Sequence, residues 1–356
     1  MHVSIIGAGP IGSHTAQLLA RQGHDVHLYE DHAVVGKPIQ CTGLMTMSLN
    51  DVLRPDSEYI INTTDRIEIV APNGRKTEIK AKEYIVCRTK FDQYLANKAQ
   101  DAGATVHTNH RFMGKNSNGI LLKNTNGVVE IKTDVLVGAD GANSAVAKLL
   151  NPDRKRNYCV GIQARVSGMF DPRKYTVYFD NSISPGFFAW IVPESEGIAR
   201  VGLKGTSGNF LAFIKKFGYK QLEMQSGPIP VYDSRYCTEK DNTYLVGDAA
   251  MQVKATTAGG IIPGLKAAAC LADALEHGDS YEKRWKAKIG KDLWLHLKVR
   301  RMLDKFTNDD WNRFIELVGQ ERVRKVFEQH DREKPWKLMK AVVKEPRLLW
   351  FGRYVV

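Results

Sequence analysis

The 356-residue chain reads as a composite α/β (α+β) protein: a parallel-sheet domain interleaved with an antiparallel-sheet domain, followed by a C-terminal helical region. Three observations predict this. Residues 1–30 run strand, glycine-rich turn, helix, strand. Residues 158–240 alternate apolar and polar positions in the manner of half-buried antiparallel strands. Residues 281–356 read as helices with short breaks.

The opening carries the sharpest signal. Val3 to Ile6 is a short buried strand, Gly7-x-Gly9-x-x-Gly12 follows, and a helix is expected from Ser13 to Arg21. A second strand, Asp25 to Tyr29, ends in Glu30, eighteen residues past Gly12. This order is the dinucleotide fingerprint of a Rossmann-like domain. Gly7 permits the tight turn, Gly9 lets the backbone approach a pyrophosphate, and Gly12 lets helix and strand pack closely. Pro10 and Ile11 complete the same loop, and Glu30 can accept from a ribose diol. The helix start offers free N–H groups and a positive dipole end to phosphate.

The remaining elements follow in order. Residues 65–86 suggest strands around an Asn73-Gly74 turn. A helix is expected from about Thr89 to Ala102, with Phe91, Tyr94, Leu95 and Ala99 at helical spacing. A β-meander with turns at Asn116–Gly119 and Asn124–Gly127 leads to the apolar strand Asp134 to Val137. Antiparallel strands are expected at Val160 to Val166, Tyr175 to Phe179, Phe187 to Val192 and Ala199 to Leu203. A buried strand, Thr243 to Val246, then returns to a glycine-rich segment and a helix from about Gly260 to Leu275. The expected division is therefore 1–157 with 241–278 as the nucleotide domain, 158–240 as the sheet domain and 279–356 as a helical cap. Part of 45–86 is free to join the sheet.

Composition excludes several classes. No apolar run reaches the length of a spanning helix, and no basic segment precedes the first apolar stretch, so no cleaved signal is expected. The five cysteines are scattered without a CxxC pair, and the ten histidines show no HxxxH or HExxH pattern, so no metal is expected. Free cysteines fit a reduced, cytoplasmic protein. The net charge of +12 is uneven: residues 281–356 hold 20 Lys and Arg against 11 Asp and Glu, with five of the six tryptophans. Basic residues interleaved with tryptophan suit an anionic surface; a basic cap whose tryptophans are core is the alternative. No nucleic-acid module accompanies this charge, so nucleic acid is not an expected partner.

Two further glycine segments and an arginine extend the fingerprint. The strand before Gly138 leads into Gly138-Ala139-Asp140-Gly141, and the strand before Gly247 leads into Gly247-Asp248-Ala249-Ala250. Arg88 stands at the start of the helix that contains Phe91-Asp92. This order resembles flavoproteins built like para-hydroxybenzoate hydroxylase, over about residues 1–275. The resemblance implies FAD as cofactor. Asp140 and Gly141 would back the site, Gly247 and Asp248 would meet the ribityl and pyrophosphate region, and Arg88 would lie along the same side. Gly259, Gly260 and Ile261, at a helix start, would present N–H groups toward the reducible ring, where negative charge develops.

Two more segments narrow the subgroup: Gly36-Lys37-Pro38-Ile39-Gln40-Cys41-Thr42-Gly43-Leu44, and Pro185-Gly186-Phe187-Phe188-Ala189-Trp190-Ile191-Val192-Pro193. They resemble the geranylgeranyl reductase family, which carries a cysteine in the first loop and PxxYxWxFP in the second. Residues 247–261, GDAAMQVKATTAGGI, resemble that family's GDAAGQVKPTTGGGI. The chain departs from the pattern at Phe188 (for tyrosine), Val192 (for phenylalanine), Met251, Ala255 and Ala258 (for glycine, proline and glycine). The resemblance implies saturation of isoprenoid double bonds, in archaeal-type membrane lipid precursors or a prenyl diphosphate, by hydride from reduced flavin. NAD(P)H or a ferredoxin would be the electron donor, with peripheral contact at the inner face of the membrane.

Within this reading Phe188 and Trp190 share a sheet face and suit an apolar substrate wall, or are ordinary inward-facing residues. Cys41 is a candidate proton donor or flavin-loop residue, or a small buried hydrophobe. Lys254 can meet a phosphate head or sit by the flavin, or is a plain loop lysine. The alternative activity on this fold is an FAD-dependent monooxygenase or halogenase.

Overall fold

The computed structural model describes residues 1–354. The chain forms two compact units, each assembled from three segments. The first is 1–39, 88–158 and 229–294; the second is 40–87, 159–228 and the chain from Leu295 onward. Residues 279–356 therefore do not stand as one separate cap: they are shared, through Trp294, with the first unit and beyond it with the second.

The first unit holds a six-stranded sheet in the order Glu239–Lys240, Thr243–Leu245, Val135–Gly138, His2–Ile6, Asp25–Tyr29, Thr105–His107. All neighbours are parallel except the Glu239–Lys240/Thr243–Leu245 pair. The central strands are apolar on both faces because both are covered; Val3, Ile5, Leu28, Leu136 and Val137 are buried. The meander Arg111–Lys115, Ile120–Asn124, Gly127–Ile131 lays Phe112, Ile120 and Leu122 into one core with Tyr29, Leu136 and Val146. Crossing from strand to strand brings together histidines that are far apart in sequence. His2 Nδ1 is 2.8 Å from Asp25, and His27 Nδ1 is 3.0 Å from His107 Nε2.

The fingerprint helix runs Pro10–Arg21, with proline at its first turn, where a missing N–H costs nothing. Buried within it, His14 has its pKa lowered from 6.5 to about 4, because burial penalises the cation; a hydrogen bond with Gln17 opposes this. The sign follows by linkage. Between pH 6.5 and about 4 the unfolded chain binds a proton that the folded one refuses, so stability present above pH 6.5 is lost as the pH falls. The loss amounts to about 3 kcal/mol across that span. A His14→Gln variant is expected to show a shallower fall of the denaturant midpoint from pH 6.5 to 4.5. Equal slopes would contradict this.

The second unit holds an eight-stranded sheet: Lys220–Pro230, Tyr158–Ser167, Ile198–Lys204, Ala189–Pro193, Lys174–Tyr178, Ile60–Val70, Lys76–Val86, Leu44–Thr46. The Asn73-Gly74 hairpin thus adds its strands to this sheet. Lys174–Tyr178 runs parallel to Ile60–Val70, so the sheet is mixed rather than wholly antiparallel. A second correction concerns residues 158–240, which also contain a helix, Ser207–Phe217. Its start is set by a Thr206/Asn209 capping box and its end by Gly218 at φ +66°. Its apolar residues, Phe210, Phe213 and Ile214, cover one sheet face: Ile162, Ala164, Val166, Ala199, Val201 and Leu203.

The opposite face has a different character. Register pairs Gln163 with Gly202 and Trp190 with Gly202, which sets Gln163, Arg165, Arg200, Lys204, Trp190 and Val192 on it. Toward Ile60–Val70 it turns apolar, with Tyr175, Val177 and Ile67 beside Trp190 and Val192. Helices Asn308–Val318 and Glu321–Gln329 cover its far part, packing Trp311, Leu317, Val323 and Val326 with Phe306 over Ile67, Ile69 and Ile79.

Candidate cofactor and substrate sites

In the first unit the fingerprint turn is built by steric exclusion. Gly7 sits at φ +100° and donates its N–H to the Tyr29 carbonyl at 2.7 Å. A Cβ there would lie 2.5 Å from the Ala139 carbonyl oxygen, and one on Gly12 would overlap the Gly7 carbonyl oxygen. A Cβ on Gly9 would meet nothing within 4 Å. Two glycines are therefore demanded by packing within the protein, and the third is not. No side chain caps the start of the Pro10–Arg21 helix, so its first N–H groups remain available to phosphate. Glu30 is held at this turn: one carboxylate oxygen accepts from the Ala8 N–H at 2.9 Å, the other from the His32 N–H at 3.1 Å. Burial raises its pKa, and the contact with His32 opposes the rise.

Asp140 is committed locally. Its carboxylate accepts from the Ser144 hydroxyl (2.5 Å) and from the N–H groups of Ala145 (2.7 Å) and Val146 (3.1 Å). It thereby shapes the turn that carries Gly141, whose φ is +70° and whose Cβ position is open. Arg88 makes a two-point pair with Asp92 one helical turn on, at 3.0 and 2.9 Å.

Asp248 differs from Asp140. Among the described residues nothing donates a hydrogen bond to its carboxylate, and burial raises its pKa against the pull of Arg88 and Arg156. Its backbone carbonyl is engaged instead, by Arg156 at 3.3 Å. A half-buried carboxylate with unspent acceptors fits a polyol hydroxyl. Gly247, at φ +66°, and Gly264 both close onto Ile11, where added Cβ atoms would come within 3.0 and 2.7 Å. Ile11 is thus the wedge between the fingerprint helix and the helix Ile261–His277. Gly260 closes onto the Asp248 carboxylate, leaving no room for a Cβ, and no side chain caps the helix that begins at Ile261. Lys254 is buried; its N–H donates to the Gly259 carbonyl at 3.2 Å, and its carbonyl accepts from the Ala258 N–H at 2.8 Å.

Two residues escape a motif reading. Arg156 donates to the carbonyls of Ala142 and Ala249, tying the Asp140 and Asp248 segments together, and its guanidinium carbon lies 5.1 Å from the Tyr236 ring centre. Gln252, fully buried, accepts from the Gly247 N–H at 2.8 Å and donates to the Tyr281 hydroxyl at 2.9 Å, which in turn donates to the Leu245 carbonyl. It clamps the turn on which Asp248 rides.

Ala258 sits at φ +55°, the left-handed region where a Cβ costs about 1 kcal/mol. Ala258→Gly is expected to raise stability by about that amount and to leave flavin bound. The unfolding midpoint of the flavin-loaded protein measures it, and a lower midpoint would contradict it.

Cys41, Phe188 and Trp190 lie in the second unit. Cys41 is half-buried and its Sγ accepts from the Gly43 N–H at 3.3 Å. Its loop is pinned to the sheet face. The Thr42 hydroxyl meets Gln163 at 2.7 Å, Gln163 meets Gln225 at 2.6 Å, and Arg200 donates to the Thr42 and Val86 carbonyls. Gly43, at φ +69°, leaves room for that guanidinium. Phe188 stacks on Phe187 at 4.3 Å and meets Trp190 edge-on at 6.1 Å. The Trp190 ring lies over Gly202, and a Cβ there would come within 2.6 Å. Trp190 Nε1 is buried without a hydrogen-bond partner among the described residues.

Comparison with known proteins agrees with this construction. Residues 1–206 match the FAD binding domain family. The chain is 32% identical to digeranylgeranylglycerophospholipid reductase 2 of Methanothermobacter thermautotrophicus, over 85% of this chain and 87% of that one. It is 29% identical to the digeranylgeranylglycerophospholipid reductase of Methanothrix thermoacetophila over 99% of both chains. A geranylgeranyl bacteriochlorophyll reductase-like protein from Thermoplasma acidophilum shares the fold with a TM-score of 0.85 at 20% identity, covering 100% of this chain and 99% of that one. A flavin-dependent brominase follows at 0.73 and 16%, covering 99% of each chain. The chain belongs to the FAD binding domain family and, within it, to the digeranylgeranylglycerophospholipid reductases, and FAD is its cofactor.

Proposed function

We propose that this protein saturates the double bonds of geranylgeranyl chains carried by archaeal-type membrane lipid precursors or by a prenyl diphosphate. The observation that carries the reading is the second unit's sheet face. Beside its polar part, which carries Gln163, Arg165, Arg200 and Lys204, that face has an apolar patch of Trp190, Val192, Tyr175, Val177 and Ile67. Phe188, just before the strand Ala189–Pro193, meets Trp190 edge-on; this patch suits a hydrocarbon without polar handles. The near full-length likeness to relatives named for this lipid reduction supports it.

FAD, when bound, supplies the hydride; the chain's residues do the rest. Gly7, Gly9, Pro10, Ile11, Gly12, Glu30, Arg88, Asp140, Gly141, Gly247, Asp248, Gly259, Gly260 and Ile261 hold and orient the cofactor. Phe188 and Trp190 line the prenyl chain and exclude water. Cys41 Sγ takes its hydrogen bond from Gly43 as an acceptor, which leaves its S–H proton free to be delivered. Lys254, buried beside the Gly259 turn, would sit by the flavin or meet a phosphate head. NAD(P)H or a ferredoxin supplies electrons. Exposed Trp336, Met339, Val343 and Leu349 among Lys337, Lys340, Lys344 and Arg347 suit a peripheral seat on an anionic bilayer. Sedimentation with anionic liposomes should therefore fall when Trp336 and Leu349 are both made serine; equal sedimentation would remove the membrane contact.

Product analysis tests the activity. Flavin-loaded enzyme supplied with chemical reductant and a digeranylgeranyl glycerophospholipid should return lipid heavier by two hydrogens per double bond. A product carrying an added oxygen or halogen would place the protein with its halogenase and hydroxylase neighbours in fold.

A further inference from the structure

Arg300, on the helix Lys291–Leu303, is only 5% exposed. Its Nη2 donates to the Gly186 carbonyl, its Nε lies 3.0 Å from Asp304 Oδ1, and its Nη1 has no hydrogen-bond partner among the described residues. Its guanidinium carbon stands 5.2 Å from the Phe187 ring centre. Lys204 approaches the same ring, with Nζ 5.4 Å from the centre, and lies 4.0 Å from Asp304 Oδ1. Two cations thus share one carboxylate, and that carboxylate is 45% exposed. Desolvation depresses the Arg300 pKa from its ordinary value, as expected for a buried charge that lacks full compensation. The Cys159 thiol lies in the field of both cations.

The cluster continues into the apolar face. Phe187 contacts both cations, stacks on Phe188 at 4.3 Å, and Phe188 meets Trp190 at 6.1 Å. A surplus positive charge with an unmet buried donor therefore stands at one end of a continuous line of rings. A buried guanidinium edge with a lysine beside it matches a phosphate's several oxygens, and the rings match a hydrocarbon.

We propose that Arg300 and Lys204 form an oxyanion site that takes the phosphate of the substrate, with the prenyl chain running from it along Phe187, Phe188 and Trp190. This rests on the prenyl reading of the second unit. It assigns Arg300, Lys204 and Phe187 a role that sets the preference for phosphorylated over neutral prenyl substrates.

The test has two arms on the flavin-loaded enzyme. In the first, equilibrium dialysis with labelled inorganic pyrophosphate measures anion binding without any turnover. Wild type should bind with a saturable site, and Arg300→Met and Lys204→Met should each weaken it about tenfold, in line with loss of one charge-assisted contact. In the second, kcat/KM is compared for geranylgeranyl diphosphate and for geranylgeraniol. The ratio of the two should fall about tenfold in each variant, through KM for the diphosphate, with Arg300→Lys recovering part of it. Lys204→Met guards against misfolding of the buried Arg300 variant. If neither compound is reduced but pyrophosphate binding depends on both residues, the anion site stands and the prenyl reading fails. If pyrophosphate binding and the substrate ratio are the same in wild type and both variants, the anion site is overturned. Loss of binding with an unchanged ratio would assign the site to a free anion and overturn its link to the substrate.

Discussion

Gly12→Ala should give a protein that carries no flavin. The Cβ of alanine would overlap the Gly7 carbonyl oxygen and press on the Ala139 side chain, both of which are backbone-tethered parts of the turn. Neither can yield alone, because Gly7 is hydrogen-bonded to Tyr29 and Ala139 donates its N–H to the Ile6 carbonyl at 2.8 Å. The helix must move away from the strand, and the N–H groups proposed to receive the pyrophosphate move with it. Overpacking of this kind costs about 1–3 kcal/mol in a core, and here it falls on the proposed cofactor seat. The purified variant is expected to lack the visible flavin spectrum and to require up to about a hundredfold more FAD for reconstitution, as the upper end of about 3 kcal/mol implies. Gly9→Ala, whose Cβ meets nothing in the protein, should fold normally and lose affinity only through the cofactor itself. Wild-type flavin content in Gly12→Ala would contradict the packing argument.

Arg332→Met should be the most destabilising single change in the second unit. Glu83, 3% exposed, takes both ends of the Arg332 guanidinium, with Nη2 at 2.7 Å from Oε2, and the Tyr175 hydroxyl donates to it at 3.1 Å. Around them Asp331 accepts from the Ser48 N–H and hydroxyl, and Glu333 accepts from Thr46. The segment 331–333 is thereby fastened to the strand Leu44–Thr46 and its neighbour Lys76–Val86. Removing the guanidinium leaves a buried carboxylate with one neutral donor, a loss of about 3–5 kcal/mol. The paired change Glu83→Gln with Arg332→Met should recover much of it, since the uncompensated charge is what costs. Denaturant unfolding of the two variants measures this; a single variant as stable as wild type would contradict it.

What could be read from the sequence follows from how each feature is built. The fingerprint, the Asp140 and Asp248 turns and the start of the helix Ile261–His277 are contiguous, so residue type and spacing expose them. Arg156 is not legible that way, because it acts through the carbonyls of Ala142 and Ala249, which any residue could supply. The same holds for Arg300, which joins the Pro185–Pro193 segment only when a distant helix is brought to it. Asp140 shows the converse: its position in the motif is plain, but its oxygens are spent on Ser144, Ala145 and Val146. The helix Ser207–Phe217 was hidden by a short apolar run between two strands, where periodicity over a few residues decides little. Among the tryptophans of the basic C-terminal stretch, Trp285 and Trp311 are core, whereas Trp336 and Trp350 reach the surface.

The most direct measurement is an anaerobic single turnover. The flavin-loaded protein is reduced chemically, mixed with a geranylgeranyl glycerophospholipid in the absence of oxygen, and followed by its visible spectrum while the lipid is weighed by mass spectrometry. The expected result is reoxidation of the flavin in step with a gain of two hydrogens for each double bond consumed. A flavin that stays reduced with every prenyl substrate, yet reoxidises rapidly when air is admitted, would contradict the account.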